Sequence, residues 1–107
     1  GAGDGVYQSK TYYLEKALCW TGIVVEPTDS EFPRLLTERP RSVAVHSAVC
    51  ATDSASTGGF QDVTLNGVWT GWSGFTHSFS QSHEAAIQAK TKAGNQEGWK
   101  AQKIHVA

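Results

Sequence analysis

Methionine is absent from the 107 residues, cysteine occurs twice, proline three times, and neither sign of charge forms a run. Each absence narrows the reading. Without methionine the chain does not begin at a translation start, so it is expected to be a piece of a longer protein. No apolar stretch approaches the roughly 20 residues that cross a bilayer, and the first residues lack the basic-then-apolar order of a secretion signal. No membrane segment is expected. The formal net charge of -1, from 9 Lys and Arg against 10 Asp and Glu, offers no basic field to attract nucleic acid. Cys19 and Cys50 are too few for a disulfide framework. Both stand beside apolar residues at the ends of expected elements and read as buried free thiols. The lack of any Asn-X-Ser/Thr sequon fits a cytoplasmic setting.

What is present starts at the first residue. Gly1-Ala2-Gly3-Asp4-Gly5 is a glycine-spaced turn, and Glu26-Pro27 follows the apolar run Gly22-Ile23-Val24-Val25. Alternate glycines let a backbone pass close to a ligand, and a carboxylate at the end of the next strand can hydrogen-bond ribose hydroxyls. The pair suggests an adenosine-containing cofactor. Such a turn normally follows a buried first strand, which is expected to lie outside this chain.

The intervening pattern reads as a βαβ crossover. Ser9 is expected to cap a helix running to about Leu18, with Tyr13 and Ala17, then Leu14 and Leu18, forming its apolar stripe. Thr21 to Val25 is a short β-branched run without alternation, as in a parallel strand covered on both faces. Ser30 is the expected cap of a second helix, because Pro33 then falls in the first turn, where its missing N–H costs no intrahelical bond. Phe32, Leu35 and Leu36 form its stripe. Arg34 and Glu38 make a one-turn pair worth only about 0.2–0.5 kcal/mol, and Pro40 ends the helix at Arg39.

Ser42 to Val49 alternates as a strand, which would put His46 and Cys50 on one face, and residues 52–59 read as a loop. Asn66-Gly67, between Val63-Thr64-Leu65 and Val68-Trp69-Thr70, is a strong signal for a tight hairpin. Ser82 begins a third helix through about Lys92, before Gly94 and Asn95. Lys100 to Val106 reads as a last strand. The fold class is therefore α/β, a partial Rossmann-like sheet, mostly parallel, with a hairpin excursion in the middle. The chain is taken as one incomplete domain, 1–107, lacking its first strand and its C-terminal strands.

The run from Gly1 to Lys16, then Trp20, then Gly22-Ile23-Val24-Val25-Glu26-Pro27, resembles the FkbM family of S-adenosylmethionine-dependent methyltransferases. The likeness is close from Gly1 to Cys50, includes Arg39-Pro40, and continues loosely through Gly71-Trp72-Ser73-Gly74-Phe75 to the strand ending at Val106. It implies that Gly1, Ala2, Gly3 and Gly5 line the amino-acid end of S-adenosyl-L-methionine, with Asp4 beside them, and that Glu26, with Pro27, holds the ribose. Gly3 and Lys10 stand where the family often has asparagine. The implied acceptor is an oxygen of a small molecule or sugar. Methyl transfer needs mainly in-line placement of the nucleophile, about 3–3.5 Å away. An alcohol acceptor also benefits from a general base, for which His46, His77 and His83 are candidates.

Plainer readings stand beside these. Glycine turns alone are more often connections, and a lone strand-end carboxylate is usually solvated. The aromatics Trp69, Trp72, Phe75 and Phe79 more often fill a core than line a pocket. No His/Cys spacing matches a zinc pattern, so no metal site is expected. A nicotinamide-dependent oxidoreductase is the runner-up, but Gly-X-Gly-X-X-Gly would require glycine where Val6 stands. A secreted, tryptophan-rich binding module explains the middle of the chain and not its start. A catalytically dead remnant is the fourth reading. Thiol titration of the denatured, unreduced protein separates the third from the rest: two reactive thiols are expected, and a Cys19–Cys50 bridge would favour the secreted module.

Overall fold

The computed structural model describes residues 1–49, 59–92 and 97–104, which fall in two compact units, Gly1–Val49 and Cys50–Val106. In the first, helix α1 (Tyr12–Leu18) leads to strand β1 (Ile23–Val25), helix α2 (Phe32–Glu38) and strand β2 (Val43–Val45). β1 and β2 are parallel, with Ile23 opposite Val43 and Val25 opposite Val45. The β1–α2–β2 crossover is thus present as the pattern predicts. β2 is shorter than the alternation suggests, because the Ser47 N–H turns back to the Val45 carbonyl (3.1 Å) and takes the backbone off the ladder.

The core of this unit is unusual in its polarity. Val24 and Leu35 are its buried apolar side chains, whereas Asp4, Glu15, Glu26, Thr28, Glu31 and Arg39 are buried beside them. On α1 the buried residue is Glu15, 2% exposed, while Tyr13 (65%) and Leu18 (49%) face solvent. The apolar stripe expected there is therefore misplaced, and the reason is Arg39. Its Nε donates to Glu15 Oε1 at 3.2 Å, its Nη1 to the Gly5 carbonyl and Ser9 Oγ, and its Nη2 to the Thr11 carbonyl and Oγ1. Ser42 Oγ and the Arg41 N–H also donate to Glu15. A buried charge is tolerated only when paired and hydrogen-bonded, so the helix turns toward its counter-ion rather than toward its leucines.

Other details depart from the pattern for local reasons. α1 starts at Tyr12 with Thr11 as its N-cap, and Ser9 Oγ accepts the Tyr12 N–H (3.1 Å) from outside the helix. Cys19 takes a left-handed conformation (φ 59°) to end α1, which leaves its free thiol exposed rather than buried. Cys50 lies outside the described residues. α2 has Glu31, not Ser30, at its N-cap, with Pro33 in the first turn as expected. Arg34 reaches Asp4 Oδ2 at 3.3 Å, a partner outside the helix. Leu36 is half exposed. The sheet is not covered on both faces, for Ile23 is 73% and Val43 64% exposed.

In the second unit, strand β3 (Phe60–Leu65) is central. β6 (Trp99–Ile104) runs antiparallel along its whole length on one edge. β4 (Val68–Trp69) and β5 (Gly74–Phe75) take opposite ends of the other edge. The Asn66-Gly67 hairpin forms as read, both residues at positive φ (52° and 78°). In the gap between β4 and β5, Ser73 Oγ accepts the Val63 N–H and Thr70 Oγ1 donates to the Val63 carbonyl, both at 2.8 Å, so hydroxyls replace the missing ladder bonds. Helix α3 (Gln81–Thr91) is capped by Ser80, whose Oγ accepts the His83 N–H, two residues earlier than the expected cap. Phe60, Val63, Ile87 and Ile104 make the core. Parallel pairing is therefore confined, among the described residues, to β1 and β2, and the four-stranded sheet is antiparallel. The expected break at Gly94-Asn95 lies outside the described residues. Among those residues, no helix is long and apolar enough to cross a membrane.

Burial opposes ionisation of Glu15, but Ser42, Arg39 and the Arg41 N–H outweigh it and hold its carboxyl below the ordinary 4.5. A depressed folded value adds stability that is complete above the unfolded value and disappears as pH falls through the folded one. The urea midpoint should therefore hold from pH 7 to about 5 and drop in the acid range below it. Glu15→Gln should remove part of that acid slope and cost about 3–5 kcal/mol at pH 7, because it leaves the Arg39 charge buried without its counter-ion.

Candidate cofactor site

The glycine turn lies against the C-terminal end of β1. The Ala2 N–H donates to the Val25 carbonyl (2.8 Å) and the Gly5 N–H returns to the Ala2 carbonyl (3.1 Å), which closes the turn. The Glu26 N–H bonds the Val45 carbonyl (3.1 Å), so the acid sits where both parallel strands end. Its side chain is 4% exposed and fully engaged in direction. Oε2 accepts the Gly3 N–H at 2.7 Å, and Oε1 accepts the Thr28 N–H at 2.9 Å and the Thr28 hydroxyl at 2.6 Å.

Gly1, Gly3, Glu26 and Pro27 are therefore brought together. A Cβ on Gly1 would collide with Glu26 Oε2 and approach Pro27 Cδ to 3.3 Å. The bare Cα of Gly1 thus packs directly against Glu26 Oε2, where any side chain would clash. Gly3 (φ +57°) has open space where its Cβ would be. A polar cleft of about 360 Å³ adjoins the turn, lined by Gly1, Ala2, Ser9, Lys10, Thr11 and Arg39 among others. That volume is within the range of small-molecule sites. A second hollow, about 180 Å³ and mostly apolar, lies at the start of β1, against Trp20 and Ile23.

Asp4 and Gly5 serve the turn itself. Asp4 Oδ1 accepts the Val6 and Tyr7 N–H groups at 2.9 and 2.8 Å, an Asx-type closure. Burial raises its pKa, but these two N–H groups and the Arg34 guanidinium prevail and hold the carboxyl below its usual value. Gly5 (φ +84°) is buried, and a Cβ there would lie 2.7 Å from Arg39 Cγ and 2.8 Å from Leu35 Cδ1. Its glycine is required by the packing of α2.

The three histidines have different surroundings. His46 follows β2; its Nε2 is 3.1 Å from Asp29 Oδ1 and its ring stacks on Phe32 at 4.2 Å. His77 tilts against Phe75. His83 Nε2 is 3.0 Å from the Trp72 carbonyl; a carbonyl only accepts, so that nitrogen donates. The aromatics form partner contacts around it, with Trp72 beside Trp99 at 4.9 Å and Phe79 edge-on to His83 at 4.6 Å.

Sequence reasoning missed Thr28, Glu15 and Arg39 as parts of the site's frame. Thr28 had a readable signal, a hydroxyl two residues beyond a strand-end acid; the Glu15–Arg39 pairing had none, since the two stand far apart in the chain. Comparison of the chain with protein-family models, with curated proteins and with solved structures finds no match.

Gly5→Ala should lower stability by about 2–4 kcal/mol, from left-handed strain added to overpacking against Leu35 and Arg39. Gly3→Ala should cost only about 1–2 kcal/mol, from strain alone. Urea titration of the two variants tests the difference.

Proposed function

We propose that the first unit binds S-adenosyl-L-methionine and that the protein is an FkbM-type methyltransferase acting on an oxygen of a small-molecule or sugar acceptor. The observation that carries this reading is the direct contact between the two parts: Glu26 Oε2 accepts the Gly3 N–H and lies against the bare Cα of Gly1. A ribose carboxylate and a close-approach turn are the two parts a nucleoside cofactor needs, and the residues present fit it. Glu26 would take the ribose, and the polar cleft beside Gly1 and Ala2 suits a charged amino-acid end.

When bound, the cofactor supplies a methyl group on a sulfonium that already leaves well. The protein's share is placement and the exclusion of competing water. An alcohol acceptor must also give up its proton, and His46 is the histidine that follows a strand of the same parallel pair as Glu26. The sequence likeness to FkbM enzymes, from Gly1 to Cys50, supports the chemistry, whereas the crossover alone supports only a nucleotide-sized site.

Calorimetric titration with S-adenosylhomocysteine should give saturable heat with the protein and none with Glu26→Ala. NADH should give none with either. Heat from NADH alone would move the reading to the oxidoreductase class.

A further inference from the structure

The apolar hollow at the start of β1 has no part in the cofactor reading. Leu14, Trp20, Ile23 and Val24 form its apolar walls, and Glu15, Arg39 and Ser42 its polar side. Its volume, about 180 Å³, exceeds the roughly 150 Å³ in which an apolar cavity takes up one benzene ring. A glycine makes part of this room. Gly22 also lines the hollow, and a Cβ there would meet nothing within 4 Å among the described residues. It shares a strand face with buried Val24, two residues on, and its φ is not left-handed. Its carbonyl accepts the Val43 N–H at 2.8 Å as part of the parallel ladder. Neither backbone conformation nor crowding requires glycine at this place, where a β-branched residue suits a strand better. An unrequired strand glycine is a recurring mark of a site where a ligand or another backbone comes close.

The polar side decides the class of ligand. The five N–H groups of Arg39 face acceptors of the unit itself: Glu15 Oε1, the Gly5 and Thr11 carbonyls, Ser9 Oγ and Thr11 Oγ1. Glu15 in turn accepts from Arg39, Ser42 and the Arg41 N–H. These charges close on each other, so a charged guest would lose its hydration without meeting a counter-ion. An uncharged ring has no such loss and gains by burying apolar surface. Trp20 lines the hollow yet is 60% exposed, so its indole stands at the opening and offers a face for stacking.

We infer that this hollow is a second binding site, for a small uncharged aromatic molecule of one ring or of indole size. It stands apart from the proposed cofactor site, for the glycine turn and Glu26 lie at the other end of β1. The inference holds or fails without that reading.

Fluorine NMR of a fluoroindole added to the whole chain is the test. Saturable binding with a Kd of about 0.1–1 mM is expected, within the range for so small a ligand, and unlabelled indole should displace it. Benzoate and benzylamine at the same concentrations should not. Gly22→Val fills the hollow and keeps the ladder carbonyl, so it should weaken binding at least about tenfold, by overlap with the ligand, without lowering the urea midpoint. Trp20→Ala, at an exposed side chain, should weaken binding about three- to tenfold through the lost stacking, and it decides the matter if Gly22→Val does not fold. Absence of saturable binding to the unsubstituted chain, binding that neither substitution weakens, or displacement by benzoate or benzylamine as effective as by indole overturns the inference.

Discussion

The buried ion pair between Arg39 and Glu15 is the constraint on which the first unit depends. Arg39 lies at the end of α2, Glu15 in the middle of α1, and the remaining guanidinium donors reach Gly5, Ser9 and Thr11. One planar cation thus ties the glycine turn, the start of α1 and the end of α2 into a single arrangement. Arginine suits this place because its donors are fixed in a fork, where a lysine would supply only a point charge. The pair is not a source of large net stability, since desolvation offsets much of the attraction. What it supplies is uniqueness of geometry, because any rearrangement strands a charge.

Glu26 repeats that logic at the other side of the turn. The turn is held from below by Arg39 at the Gly5 carbonyl and from the strand end by Glu26 at the Gly3 N–H. Asp4 closes it locally through Val6 and Tyr7. A five-residue segment with three glycines would otherwise sample many conformations, and ordering it costs more backbone entropy than ordering a glycine-free segment of the same length. Three separate charged groups hold it in one shape, and a preformed turn asks less of an incoming ligand.

Much of this was legible in the residues. The βαβ crossover, the Asn66-Gly67 hairpin and the proximity of the glycine turn to Glu26 follow from short-range patterns, because turn chemistry and strand length are local properties. The orientation of α1 was not, since hydrophobic periodicity assumes that leucines choose the buried face. Here a partner in α2 made the choice for Glu15. The pairing of β6 with β3 was equally hidden: Lys100 to Val106 reads as a strand, but no feature of its own sequence says which neighbour it takes or in which direction. Thr28 illustrates a middle case, visible as a type and spacing, with its role set only when the strand end brought its hydroxyl to Glu26 Oε1.

The uncovered side of the β1–β2 ribbon has a consequence for how the molecule behaves in bulk. Ile23, Val43 and Val45 form an aliphatic strip on it, and a formal charge of -1 gives copies little mutual repulsion. Concentrated solutions should be sensitive to kosmotropic salt, which strengthens the adhesion of such strips. Retention on a phenyl resin would register the same property without any ligand, and a lysine at position 43 would shorten it by breaking the strip at its centre.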